Sequence, residues 1–163
     1  MKLIAHRGNM NGPNPELENT PDYILKAITL GFDCEIDIRY INDKLYLGHD
    51  LPQCVISLDF LLNNKDKLWI HCKNVEALDF LHNYEDLNIF FHDKDEYTIT
   101  SKNFIWSYIG VKTTKNIICV MPELVTNDLN NFFKENNKYC AVCTDHCSFL
   151  NQQYKTNITV ILR

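Results

Sequence analysis

Residues 33–50 read DCEIDIRYINDKLYLGHD, and the alternation within that stretch decides the fold. From Cys34 to Tyr40 apolar and polar side chains alternate with the period of a β-strand. Cys34, Ile36 and Ile38 share one face, and Glu35 and Asp37 share the other. Asn42-Asp43-Lys44 reads as a turn and Leu45–His49 as an antiparallel return strand. Two neighbouring carboxylates suit an exposed edge strand, but the interleaved isoleucines point to burial. There the acids repel each other and lose hydration unless a cation lies between them. Oxygen donors of this kind favour Mg2+, Ca2+ or Mn2+.

Similar runs recur along the chain: Lys2–His6, Leu68–Lys73, Ile89–His92, Phe104–Ile109, Ile117–Met121, Tyr139–Thr144 and Ile158–Leu162. Continuous apolar runs of this length suit strands covered on both faces, as in a parallel sheet. Thr20-Pro21 and Gly31 bracket a helix at Pro21–Leu30, with Pro at the first helical position and Gly past the end. Weaker helical signals cover Ser57–Asn63, Val75–Asn83 and Thr126–Glu135. The linkers Asp93–Asn103 and Gly110–Asn116 show little helical periodicity. With Cys34–Tyr40, the runs number eight once the return strand is set aside. A full barrel of eight βα units needs at least about 200 residues, and the chain has 163. The expected fold is therefore α/β: one domain over residues 1–163, a reduced (β/α)8 TIM-like barrel with several helices shortened or missing.

Composition narrows the function. The net charge is −5 and no Lys/Arg cluster is present. This argues against a nucleic-acid surface or a polybasic membrane anchor, both of which need concentrated positive charge. A small anionic substrate is still compatible. Seven cysteines without a regular framework suit reduced thiols, and MKLIAHRG lacks a secretory leader. No apolar stretch reaches 18 residues, so a transmembrane segment is not expected. The expected location is cytoplasmic. Oligomeric state is not legible.

His6-Arg7-Gly8 closes the first strand, at the end where barrels of this type carry their active sites. His6 can move a proton, and Arg7 offers a fork of donors to phosphate. Alone, the tripeptide reads better as an ordinary loop. Gly48-His49-Asp50 ends the return strand and brings a second imidazole to the same end; alone it reads as a turn. Two histidines flanking a metal-bound phosphate make an acid/base pair for P–O cleavage. His92-Asp93 ends the fourth run, Trp106 reads as barrel interior, and Glu123 is a further acid near the sixth run's end. Cys140, Cys143, His146 and Cys147 invite a zinc reading. The alternation of a strand separates Cys140 from Cys143, and no second half-site exists, so buried thiols are the better reading.

Four segments together resemble the glycerophosphodiester phosphodiesterase family in order and spacing. They are AHRG at Ala5–Gly8, ENTP at Glu18–Pro21, AITLGFDCEIDI at Ala27–Ile38 and LYLGHD at Leu45–Asp50. The resemblance implies a TIM-like barrel and hydrolysis of a phosphodiester with an alcohol leaving group. It implies His6 and His49 as the acid/base pair, Glu35 and Asp37 as ligands of one divalent cation, and Arg7 at the phosphate. Glu18 and Asp50 support the site. Past residue 50 the match thins. The family carries Glu-x-Lys on its third strand; here Lys73 fits as a second phosphate contact, but His71 stands where the acid is expected. Mg2+ or Ca2+ is the leading cation, with Mn2+ or Zn2+ admitted because imidazole suits them better. His71 as a ligand, water in its place, and a weakened site all remain open. AVCTDH at Ala141–His146 resembles a later strand ending in Asp, and the family's long insertion after the return strand is missing. The implied substrates are small glycerophosphodiesters or lysophospholipids. The alternatives are a related lyase releasing a cyclic phosphate, and a phosphodiester-binding module without turnover.

Overall fold

The computed structural model describes residues 1–108, 116–135 and 139–153. In chain order the elements are β1 (Lys2–His6), α1 (Pro21–Thr29), β2 (Asp33–Ile41), β3 (Lys44–Leu47), β4 (Cys54–Ile56), α2 (Leu58–Asn63), β5 (Leu68–Cys72) and α3 (Val75–Leu81). There follow β6 (Ile89–Phe90), β7 (Tyr97–Ile99), β8 (Ile105–Tyr108), β9 (Ile117–Val120), a 3-10 turn at Pro122–Leu124, α4 (Leu129–Glu135) and β10 (Ala141–Thr144). Residues 147–153 are helical.

The local chemistry explains most of these bounds. Pro21 opens α1 and Gly31, at φ +93°, follows its end. Thr20 does not cap it with its side chain; the hydroxyl donates to Leu17 O at 2.7 Å instead. Ser57 and Asn74 do cap the short helices α2 and α3, each accepting a backbone N–H. Helix α4 begins three residues later than the periodicity suggests, at Leu129.

Strand β1 pairs in parallel with β2 on one side and β10 on the other; β5 and β6 continue from β2, and β9 and β8 from β10. The result is the reduced α/β barrel expected from the sequence. Both edges of β1 are taken, so no further strand fits between it and β10. Ile158–Leu162, read as the eighth strand, lies outside the described residues, as does most of Gly110–Asn116. In the gap between β6 and β8 sits β7, antiparallel to β8. Just beyond it, Ser101 N donates to Ile89 O at 2.8 Å and Ile89 N to Ser101 Oγ at 3.0 Å. Three-residue strands such as β7 and β4 carry too short a pattern to be seen in sequence.

The curl creates two apolar compartments. Outside the sheet, Cys34, Ile36 and Ile38 of β2 pack with Ile24 and Ala27 of α1 and Ala77 and Leu81 of α3. Inside, Ile4, Trp69, Phe90, Trp106, Ile118 and Cys143 form a second cluster. Its aromatic rings, Trp106 lying 4.6 Å from Phe90 and 6.1 Å from Trp69 between centroids, fill the interior. Cys140 precedes β10 and packs against this same cluster, so strand alternation does not separate it from Cys143. Among the described residues, no helix is long and apolar enough to cross a membrane.

Candidate active site

The polar residues that β2 turns inward are the base of the site. Glu35 and Asp37 are 2% and 0% exposed, and parallel pairing sets Asp37 opposite His71 of β5. Glu35 Oε1 lies 3.7 Å and Asp37 Oδ1 3.3 Å from His71 Nδ1. Glu35, Asp37 and His71 each offer an atom within 4.8 Å of the others'. The opposite edge of the His71 ring faces His92 O at 3.2 Å, and its plane stacks on His92 at 4.9 Å between centroids.

Charge is divided unevenly between the two acids. Burial, with the neighbouring Asp37 charge, pushes the Glu35 carboxyl up. Burial acts on Asp37 in the same direction, but His71, Arg7 and Asn19 outweigh it and hold that carboxyl well below its ordinary range. Asn19 grips Asp37 twice, donating from Nδ2 to Oδ2 at 2.9 Å and accepting from the Asp37 backbone N–H at 3.0 Å. Asn19 adopts φ +55° to do so.

The first strand ends on the same cavity. Arg7 turns through φ +52°, a left-handed conformation uncommon outside glycine, and points its N–H at Glu35 Oε2, 3.2 Å away. Its guanidinium meets Asp37 Oδ2 at 3.1 Å and Glu18 Oε2 at 3.2 Å. Gly8 follows at φ +88°; a Cβ there would stand 2.9 Å from Tyr23 Cδ1. His6 Nδ1 is bonded to Asp145 Oδ1 at 2.8 Å. Burial opposes protonation of His6, but Asp145 and the Glu35 charge prevail and raise its pKa. Asp145 also accepts from Asn9 Nδ2 at 2.9 Å, and Asn9 reaches Glu18 at 2.8 Å. Glu123 Oε1 holds Asp145 by its backbone N–H, at 2.7 Å.

The β2–β3 hairpin brings the second imidazole back. Gly48 N donates to Asp37 O at 3.0 Å, so His49 follows the strand end at the level of the acids. Only glycine fits here, at φ +142°, because an added Cβ would lie 2.1 Å from Leu51 O. His49 Nδ1 contacts the exposed Asp50 at 2.7 Å, and Arg39 Nη2 donates to His49 O at 2.6 Å. Burial lowers the His49 pKa. Lys73 follows β5, anchored by its N–H to Ile38 O at 2.8 Å, with Nζ 4.0 Å from Asp37.

The residues that the resemblance assigned to the site (His6, Arg7, Glu18, Glu35, Asp37, His49, Asp50, His71 and Lys73) thus lie at one end of the barrel. Asn9, Asn19 and Arg39 carried no sequence signal of their own, although Asn19 lies inside ENTP. Asp145 lies within AVCTDH, but nothing in the sequence paired it with His6.

This polar end faces the inside of a curled, mostly parallel sheet. The fold is that of solved glycerophosphodiester phosphodiesterases. The enzyme from Thermotoga maritima superposes with a TM-score of 0.61 at 17% identity, covering 93% of this chain and 97% of that one. The enzyme from Agrobacterium tumefaciens superposes at 0.53 with 14% identity, covering 90% and 97%. No family model matches the sequence, and no curated relative does.

Proposed function

We propose that the protein hydrolyses small glycerophosphodiesters at this site, with a divalent cation held by Glu35, Asp37 and His71. The observation that carries the reading is the gathering of two buried carboxylates and an imidazole within 4.8 Å of one another. The shared fold supports the substrate class. Asp37 Oδ1 is buried and accepts no hydrogen bond. An acceptor left so, beside a second carboxylate and an imidazole nitrogen, fits a divalent cation. The imidazole favours Mn2+ or Zn2+ over Mg2+ or Ca2+. When bound, the ion supplies Lewis-acid stabilisation of the charge that develops on phosphorus oxygens.

The protein groups divide the remaining work. Arg7 and Lys73 neutralise phosphate, and Glu18 fixes the Arg7 guanidinium in place. Paired titratable groups whose pKa values are pushed apart identify the acid and the base. His49, lowered, is neutral near pH 7 and takes the proton from the attacking water. His6, raised and oriented by Asp145, carries a proton to the leaving alkoxide.

The dependence of kcat/KM on pH tests this assignment. Activity falls on the acid side below the ordinary histidine value of 6.5, as His49 protonates, and on the alkaline side above it, as His6 deprotonates. Asp145→Asn removes the charge that holds the His6 proton, so the alkaline limb moves to lower pH while the acid limb stays. Two unmoved limbs would reject the roles given to these histidines.

Glu35→Gln separates metal binding from folding. In metal-free protein the variant melts no lower than wild type, because a buried carboxylate beside Asp37 is replaced by a neutral group. The thermal shift that Mn2+ or Zn2+ gives the wild type disappears. Differential scanning calorimetry with and without each ion reads both effects, and an undiminished shift in the variant contradicts the ligand set.

A further inference from the structure

Beside His49 a cleft of about 530 Å³ opens, lined by Arg39, His49, Lys73, Phe91, His92 and Asp93, among others. Its two permanent cations are differently placed. Lys73 faces Asp37. Arg39 is half-buried, and among the described residues no carboxylate lies within ion-pair distance of it. Its Nη2 is used on a neutral acceptor, the His49 carbonyl, and its Nε is buried without any acceptor. Arg7 shows the contrast, being compensated by both Glu18 and Asp37. The acids that line the cleft do not serve it: Asp50 is 90% exposed and bonded to His49, and Asp93 is exposed.

A guanidinium withdrawn from water without a counter-charge is costly, and its planar fork matches the oxygens of a carboxylate or phosphate. We infer that Arg39 is a specificity residue: it binds a second anionic group, carried on the alcohol arm of the substrate beyond the scissile phosphate. The inference rests on the phosphodiesterase reading for the identity of that substrate, but the anion site itself does not require turnover. The bond to the His49 carbonyl ties occupancy of this subsite to the loop that carries the proposed base.

Glycerophosphoinositol 4-phosphate and glycerophosphoinositol are a suitable pair of probes, since they differ only by the second phosphate. Titration calorimetry and steady-state kinetics with wild type, Arg39→Met and Arg39→Lys read the effect. Wild type should bind the phosphorylated probe about tenfold or more tightly, as one charge-assisted hydrogen-bond pair supplies. Arg39→Met should abolish the preference, and Arg39→Lys should keep part of it. A loss of kcat equal on both probes reports only the His49 bond; the ratio of KM values reports the subsite. A preference retained in Arg39→Met, or absent from wild type, overturns the proposal. If both probes bind with the expected preference but neither is cleaved, the hydrolase reading fails and the subsite stands. If neither binds, both fail.

Discussion

His6→Ala is expected to lower kcat by about two to four powers of ten, the contribution of a positioned general acid. His6 ends β1, its Nδ1 is tied to Asp145 at 2.8 Å, and Asp145 is itself fixed by Asn9 and Glu123. The ring therefore has one orientation, and water cannot reproduce it. His49→Ala should cost a similar factor by removing the base. The double variant should fall little further than the worse single, because a base without its acid leaves a step uncatalysed. Hydrolysis of glycerophosphodiesters, followed with Mg2+, Ca2+, Mn2+ and Zn2+ in turn, makes the comparison. Unchanged turnover in both single variants would end the two-histidine mechanism. The structure should be indifferent to His49→Ala, since that side chain is partly exposed and its contact is with a solvated Asp50.

The second large effect falls on stability. Asp37→Ala is expected to destabilise the metal-free protein by about 3–5 kcal/mol, the range for removing one partner of a buried charge network. In a chain of this length that corresponds to a melting temperature lower by roughly 6–20 °C. Asp37 is enclosed, with Arg7 at 3.1 Å, His71 at 3.3 Å and Asn19 at 2.9 Å. Its removal leaves Arg7 and Lys73 facing a cavity with one counter-charge fewer. The linkage has a definite sign. Asp37 has a depressed pKa in the folded state, so the stability it contributes is present above the unfolded value of 3.8 and is lost as pH falls below it. The gap between wild type and Asp37→Ala, measured by urea titration, should therefore be constant near neutrality and shrink in strong acid. A gap independent of pH down to the acid limit would show that packing, and not charge, is what Asp37 supplies.

Glu35→Gln and Asp37→Ala, two positions apart, are predicted to act differently on the metal-free protein. The distinction lies in their surroundings. Asp37 is ringed by cations and amide donors, whereas Glu35 accepts one backbone N–H, has His71 farther off at 3.7 Å, and is buried beside the Asp37 charge. Both substitutions should nevertheless abolish the ion-induced shift.

Much of this was legible in the chain. The alternation from Cys34 to Tyr40 determined that β2 is a strand, and that its acids and its isoleucines part to opposite faces, because side-chain direction in a strand follows from the backbone alone. The same local rules placed α1 between Thr20-Pro21 and Gly31. Order and spacing of the four N-terminal segments pointed to His6, Arg7, Glu18, Glu35, Asp37, His49 and Asp50, which the fold brings to one end of the barrel. What the tertiary structure decided is everything that depends on which strand lies beside which. Register alone sets His71 opposite Asp37, 34 positions away, so an imidazole stands where an acid was expected. The pairing of His6 with Asp145 spans 139 positions, and no local pattern encodes it. The direct union of β1 with β10, and the antiparallel β7 in the gap between β6 and β8, follow from the way a short chain must curl to cover its aromatic interior. The sequence could name the acids and the imidazoles, but their charge states arise from burial and from neighbours that only folding brings together.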